Sequence, residues 1–160
     1  MGPFIQSVGP TVLTYTRYLT VSYEWAYIFS VVRPATGEDF TLVLPEVSAP
    51  TMGLFLERFA ASLPGDVHAV MVLDGAGWHG AAALKVPDDI SLVPLPLYSP
   101  ERNPVERVWL FLRERFLSLR MLDDNDAIVT ACCTTWMALA QEPDRLKSLC
   151  CPDWIAKVAS

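Results

Sequence analysis

The sequence predicts an α/β fold in which a mixed sheet is flanked by helices. Two strand-forming runs, Trp25–Val32 and 40–44, are separated by turn residues at 34–39 and predict an antiparallel hairpin. From Thr51 the apolar period changes to three and four, which is typical of an amphipathic helix. Two more strand-length runs follow at 69–73 and 90–95, with helical patterns after them. A hairpin followed by helix-linked strands favours a sheet with both antiparallel and parallel pairs.

Length and composition predict one domain with a substantial core. The chain has 160 residues, of which 52% are hydrophobic and 19% are charged. We expect an irregular N-terminal segment at 1–10 and a helical C-terminal tail at 123–160. No secretory leader or membrane span is indicated, and the adjacent cysteine pairs are typical of reduced, packed thiols. We therefore expect a cytoplasmic protein.

Apolar spacing also predicts which helical residues face the core. Outside the helices, the composition of the segment 11–23 favours extended structure, and any strand there is expected at an edge of the sheet. The predicted apolar faces of three helices comprise Met52, Phe55, Leu56, Phe59, Ala60 and Leu63; Val105, Val108, Trp109, Leu112, Phe116 and Leu119; and Ile128, Ala131, Cys132, Thr135, Trp136 and Leu139.

Two acidic residues stand at positions from which they can share a metal ion. The apolar run 69–73 predicts a strand buried on both faces, and Asp74 follows it directly. Asn103 and Pro104 predict a helix start, which puts Glu106 in the first helical turn. Such carboxylates can converge on a divalent cation. Each also has a structural alternative, Asp74 in the turn and Glu106 as the capping-box partner of Asn103.

The distribution of charge indicates one region of the sequence that could contact DNA. The net charge of −6 argues against a freestanding nucleic-acid binder, because phosphate contacts are made by Lys and Arg. Five arginines nevertheless lie between positions 102 and 120, and Arg102, Arg107 and Arg113 are candidate DNA contacts. The alternative is a solvated helix face whose charge is balanced by Glu101 and Glu114.

The loop after Asp74 carries two further candidates. His79 is a candidate proton shuttle or substrate contact, with a loop histidine bonded to backbone as the alternative. Gly75, Gly77 and Gly80 match the G-x-G-x-x-G spacing of nucleotide-cofactor-binding α/β domains, which is a rival interpretation of this turn. Asp74 would repel a phosphate there, and no acidic residue stands at the offset expected for ribose binding.

The combined pattern resembles the catalytic core of DDE transposases of bacterial insertion sequences in the mariner-like superfamily. The strings VLDGAGWH at 72–79 and LKVPDDISLVPLPLYSPERNPVERVW at 84–109 carry the resemblance, and the segment 25–64 is similar to the strand, turn, strand and helix that precede them in the family. The matching residues are Asp74, Ala76, His79, Leu95, Pro96, Tyr98, Ser99, Pro100, Glu101, Asn103, Pro104, Val105, Glu106 and Trp109.

This resemblance implies a fold, a chemistry and a set of partners. It implies a ribonuclease-H-like sheet, Mg²⁺ or Mn²⁺ as cofactor, and cleavage and strand transfer of DNA at transposon ends. Asp74 and Glu106 would be the second and third members of the acidic triad and its metal ligands. A second copy of the chain is a further candidate partner, and no membrane is expected.

The first member of that triad has no evident counterpart. In the family it lies on the first core strand, and here only VGPTV at 8–12 resembles the stretch that follows it. The acids before the helix at Thr51 are Glu24, Glu38, Asp39 and Glu46, and none has the expected context. We therefore expect a fold lacking its first core strand and its basic DNA-binding region.

These gaps predict how the chain behaves. We expect the C-terminal part of a transposase catalytic domain, with little or no DNA cleavage alone. It would be completed by a separately encoded N-terminal part or a full-length transposase. The alternative is a nuclease-dead regulatory fragment that joins a full-length transposase and poisons the assembly.

Overall fold

We describe the fold from a computed structural model of the chain. It describes residues 4–7, 11–14, 25–73, 84–95, 105–117 and 125–150. The strands are β1 Phe4–Ser7, β2 Thr11–Thr14, β3 Trp25–Val32, β4 Asp39–Leu44, β5 Ala69–Leu73 and β6 Ile90–Pro94. The helices are α1 Ala49–Ser62, α2 Val105–Leu112 with a π-helical continuation at Arg113–Leu117, α3 Asn125–Ala140 and α4 Pro143–Cys150.

The strands form one six-stranded mixed sheet. β3 pairs with β4 along one edge and with β1 and β2, one after the other, along its other edge. β1 also pairs with β5, and β5 pairs with β6. β3 is antiparallel to β1, β2 and β4, whereas β1, β5 and β6 are parallel. The predicted hairpin and mixed sheet are therefore confirmed. This order also disfavours the nucleotide-cofactor alternative, because dinucleotide-binding domains are built on an essentially parallel sheet.

The central position of the sheet is filled, contrary to the expectation that the first core strand is lacking. β1 pairs with β3 on one side and with β5 on the other, and it lies within the segment predicted to be irregular. Backbone hydrogen bonds from two neighbours hold these four residues extended despite the Gly and Pro around them. The sequence of β1, FIQS, contains no acidic residue, so β1 does not carry the first acid of the triad.

Helices cover both faces of the sheet. α1 packs on one face through the predicted residues, since Met52, Phe55, Leu56 and Phe59 share a core with Phe29 and the buried side of β5. α2, α3 and α4 form a second core on the other face, against Ala26, Ile28 and Val32 of β3. All six residues predicted to form the apolar face of α3 are buried. Among the described residues, no helix is both long and apolar enough to cross a membrane.

Local signals set the ends of α1 and α4. Ser48 caps α1 and forms a reciprocal capping box with Thr51, so α1 begins two residues before the point at which the apolar period starts. Pro143 follows the end of α3, as predicted, and is also the first residue of α4. Proline suits that position because the first helical N–H needs no intrahelical acceptor.

Candidate active site

The carboxyl ends of β5 and β6 meet at one rim of the sheet. Leu73 lies level with Pro94, and the Leu95 N–H donates to the Leu73 carbonyl oxygen at 2.7 Å. Asp74, the next residue after Leu73, lies outside the described residues, as do His79 and the glycines at 75, 77 and 80. The described part of β5 therefore ends at this rim with Leu73.

The two faces of β5 differ, which corrects the expectation of a strand buried on both. Ala69, Met71 and Leu73 are buried on the α1 side, with exposures of 0%, 0% and 1%. Val70 and Val72 alternate with them and are half-buried. A period of two in a strand puts these two valines on the face that α2, α3 and α4 cover.

Glu106 lies in the first turn of α2, as predicted from Asn103 and Pro104. The neighbouring Val105 and the later Val108 are fully buried in the core shared with β3, so one face of α2 is fixed against the sheet. Glu106 itself is exposed. A carboxylate in this turn is favoured by the positive end of the helix dipole. Asn103 lies outside the described residues, so the capping-box role of Glu106 stays a prediction.

The basic residues of α2 are surface residues. Arg107 in α2 is exposed, as are Arg113 and Arg115 in the π-helical continuation. Arg102 lies outside the described residues. The guanidinium of Arg145 on α4 stacks over the ring of Phe111 at 5.6 Å, which joins α4 to this side of α2. The exposed arginines are thus placed where a polyanion can reach them.

The described acids that precede α1 are engaged elsewhere or far from the rim. The Trp136 indole N–H donates to Asp39 at 2.6 Å, and Glu38 forms an ion pair with Arg33 at 2.9 Å. Both acids lie at the opposite end of β4 from the rim. Glu46 accepts a hydrogen bond from Ser48 and follows β4, three strand positions or about 14 Å from β5. Glu24 lies outside the described residues.

The described residues alone do not form a metal site. Within the described ranges, no three His, Cys, Asp or Glu side chains are grouped so that they could hold a metal ion. Carboxylate oxygens suit Mg²⁺ and Mn²⁺. An exposed Glu106 beside the sheet fits such a site, and Asp74 would have to complete it.

The three cysteines that the structure describes lie in or beside the core, as predicted for packed thiols. Cys132 and Cys150 are buried in the core beneath α3 and α4, and Cys133 is half-buried. Burial, together with the neighbouring Cys133, raises the pKa of the Cys132 thiol to about 11. The Cys132 thiol is therefore protonated at neutral pH and is a poor nucleophile.

One polar cluster was not indicated by the sequence. Asp39 accepts hydrogen bonds from Trp136 and from the Thr41 hydroxyl, and Thr41 also bonds the buried Ser30 hydroxyl at 2.8 Å. These residues join α3 to β3 and β4, away from the rim. Asp39 and Trp136 are 97 positions apart, so no local sequence signal could have paired them.

A mixed sheet with this strand order and helices on both faces defines a ribonuclease-H-like α/β core. The chain belongs to the DDE superfamily endonuclease family, whose family model matches residues 14–129. It is 46% identical over 125 residues to the uncharacterized protein y4pE/y4sA of Sinorhizobium fredii (strain NBRC 101917 / NGR234), covering 78% of this chain and 93% of that protein.

Solved structures with a similar fold are transposase and integrase catalytic cores. The catalytic domain of Mos1 mariner transposase superposes with a TM-score of 0.60 at 12% identity, covering 98% of this chain and 82% of that chain. The chain spans 54% of the similar chain in the Mos1 strand transfer complex, with a TM-score of 0.57 at 12% identity. The catalytic core of BIV integrase superposes with a TM-score of 0.50 at 16% identity, covering 82% and 81% of the two chains. These likenesses confirm the predicted fold class.

Proposed function

We propose that this chain supplies Asp74 and Glu106 as metal ligands of an active site that cuts and joins DNA at transposon ends. Membership of the DDE endonuclease family over residues 14–129, with these acids at a strand end and a helix start, is the observation that carries the proposal. Such a reaction on bacterial DNA would take place in the cytoplasm.

The pleat of β5 supports a shared site. Val70 and Val72 lie on the α2 face of the sheet. If the alternation continues for one more pair, Asp74 has its side chain on that same face. α2 packs there with Glu106 in its first turn. Both carboxylates would then approach the rim from one side of the sheet.

The chain's own residues would bind and orient the substrate. Asp74 and Glu106 provide oxygen ligands, and the buried face of α2 limits the positions that Glu106 can take. Arg107 and Arg113, with Arg102, would neutralise DNA phosphates, and His79 would contact substrate or carry a proton. A bound Mg²⁺ or Mn²⁺ supplies Lewis acidity toward a phosphate oxygen.

The site needs a third carboxylate that β1 does not carry. We therefore propose that the chain has little or no cleavage activity alone. A separately encoded N-terminal part or a full-length transposase would supply the missing ligand. A chain that joined such an assembly without completing a site would instead act as a regulator. Coexpression with intact transposase separates these two roles. Completing a site raises the transposition frequency, whereas poisoning the assembly lowers it.

Metal binding tests the proposal directly. We expect calorimetric titration with Mn²⁺ to show one weak binding event that Asp74→Asn or Glu106→Gln abolishes. Asp144→Asn is the matched control, because Asp144 is a first-turn acid of another helix, α4. Equal Mn²⁺ binding in all four proteins would contradict the shared site. Efficient nicking of a terminal-repeat duplex by the chain alone, abolished by Asp74→Ala, would contradict the proposed dependence on a partner.

A further inference from the structure

One flank of α2 carries a row of two arginines and a phenylalanine. Arg107, Phe111 and Arg115 are spaced by four residues, so their side chains follow one another along the helix and its π-helical continuation. Arg107 and Arg115 are exposed, and Phe111 is half-buried. Glu106 precedes Phe111 by five residues, which places it about 140° away around the helix axis. The row therefore lies on a different side of α2 from the acid proposed as a metal ligand.

A surface pocket of about 480 Å³ opens beside this row. Phe111, Glu114 and Arg115 are the described residues that line it. Since Phe111 and Arg115 line the same pocket, the row stays continuous where α2 passes into π-helical hydrogen bonding. Single π-helical turns at α-helices occur frequently at functional sites, and this volume is within the range of ligand pockets.

α4 adds a third cation, which holds the aromatic ring. The Arg145 guanidinium lies over the Phe111 ring, 5.6 Å from its centroid, and also forms an ion pair with Glu142. The attraction between a cation and the face of a ring favours this orientation of Phe111. Because Glu142 already pairs with Arg145, Arg107 and Arg115 are the cations of this flank that would meet an anionic ligand.

We infer that the Phe111 flank, meaning Arg107, Phe111, Arg115 and the pocket beside them, binds an unpaired strand of DNA. Sites for single strands combine cations that contact phosphates with an aromatic ring on which a base stacks. Arg107 and Arg115 are eight residues apart, or about 12 Å along the helix axis, which spans about three to four phosphates of one strand. Phe111 lies midway between them, so a base could stack between two phosphate contacts.

The ring favours an unpaired strand over a duplex. Bases in a duplex are stacked on one another, so their faces are not accessible to Phe111. Duplex binding also relies on many phosphate contacts, which a net charge of −6 and the presence of Glu114 in the pocket disfavour. The choice of DNA over RNA rests on the proposed function, whereas binding at this flank requires no metal ion.

Fluorescence anisotropy with a labelled oligothymidylate tests the inference. The unmodified chain should bind it in EDTA, which separates this result from the proposed metal site. Arg107→Gln and Arg115→Gln should each weaken binding, and each should reduce the slope of log K against log salt concentration by about 0.7, the value for one phosphate contact on a single strand. Arg58→Gln removes an exposed arginine of α1 on the other face of the sheet and should change neither quantity.

Substitution of Phe111 separates stacking from charge. Phe111→Leu should weaken oligothymidylate binding by about tenfold and leave the salt slope unchanged, because it removes a stacked base and no phosphate contact. Phe40→Leu, at a half-buried phenylalanine of β4, is the matched control and should leave binding unchanged. Circular dichroism checks that each variant is folded.

Glu114→Gln provides a test that loss of folding cannot imitate. It removes a negative charge from the pocket, so it should strengthen oligothymidylate binding. A chain that does not bind oligothymidylate in EDTA, or whose binding none of these flank variants alters, would overturn the inference. Tighter binding to a DNA duplex or to an RNA strand of the same length would also overturn it. Binding of oligothymidylate by a chain that binds no Mn²⁺ would support this inference and contradict only the proposed metal site.

Discussion

At the residue scale, Glu38 illustrates how hydrogen bonds within a surface turn lower the pKa of a carboxyl group. The Thr36 hydroxyl donates to Glu38 at 2.8 Å, and the Arg33 guanidinium donates to it at 2.9 Å. These hydrogen bonds, the one from Thr36 foremost, hold the pKa of Glu38 below its ordinary value. Because the carboxyl is exposed, we expect the pair with Arg33 to contribute less than about 1 kcal/mol.

The lowered pKa has a definite sign in the dependence of stability on pH. The stabilisation is present above the unfolded-state pKa of Glu38 and is lost as the pH falls through its lower folded-state pKa. We expect carbon NMR titration of the Glu38 carboxyl to give a pKa below that of an unstructured peptide, and Thr36→Val to raise it. A Glu38 pKa that Thr36→Val leaves unchanged would contradict this assignment.

Gly37 is the residue of the hairpin turn that should tolerate substitution least. Its φ is +78°, and a Cβ on it would lie 2.1 Å from the carbonyl oxygen of Pro143. We expect Gly37→Ala to lower the free energy of unfolding by about 1–3 kcal/mol or more, because it combines backbone strain with a backbone clash. Urea denaturation measures this change.

Gly53 in α1 is the matched control for Gly37. A Cβ on Gly53 would meet nothing within 4 Å. Since alanine is favoured over glycine inside a helix, we expect Gly53→Ala to raise the free energy of unfolding by up to about 1 kcal/mol. Two Gly→Ala changes of the same sign and size would show that the contact between the turn and α4 is unimportant.

At the scale of elements, the bond between Asp39 and Trp136 joins α3 to the sheet. Trp136 is 4% exposed, so its indole N–H would lack a partner if the carboxylate were removed. We expect a double-mutant cycle with Asp39→Ala and Trp136→Phe to give a coupling energy of about 1–3 kcal/mol. In the control cycle, Asp39→Ala and Ser62→Ala should be additive. If the effects of Asp39→Ala and Trp136→Phe on the free energy of unfolding are additive, this hydrogen bond does not link α3 to β4.

Regular elements with a strong apolar period were predictable from the sequence. β3, β5, α1 and α3 follow the predicted runs, and every residue predicted on the α3 face is buried. β1 was not predictable, because its four residues have no period and gain their extended conformation from β3 and β5. The half-buried side of β5 also depends on which helices cover the sheet, which its letters do not encode.

The candidate site was predictable to the level of its elements. The Asn-Pro pair placed Glu106 in the first turn of α2, and the apolar run placed the end of β5 before Asp74. The convergence of the two carboxylates depends on how α2 packs on the sheet and on the path of the chain after Leu73. Neither is a local property of the sequence, so the distance between the two carboxylates could not be predicted from it.

At the scale of the whole molecule, the account predicts that two acids far apart in sequence hold one ion. The sheet brings the ends of β5 and β6 to one rim, and α2 covers the sheet face that Val70 and Val72 share. An ion bound between Asp74 and Glu106 would join these two layers. The shared ion, rather than either residue alone, would make this fold a nuclease core.

Anomalous scattering from crystals grown with Mn²⁺ tests this claim most directly. We predict an anomalous peak within about 2.2 Å of a carboxylate oxygen of both Asp74 and Glu106, the coordination distance typical of small hard cations. The peak should be lost in Asp74→Asn and kept in Asp144→Asn. Carboxylates of Asp74 and Glu106 on opposite faces of the sheet, with no ion between them, would contradict the account.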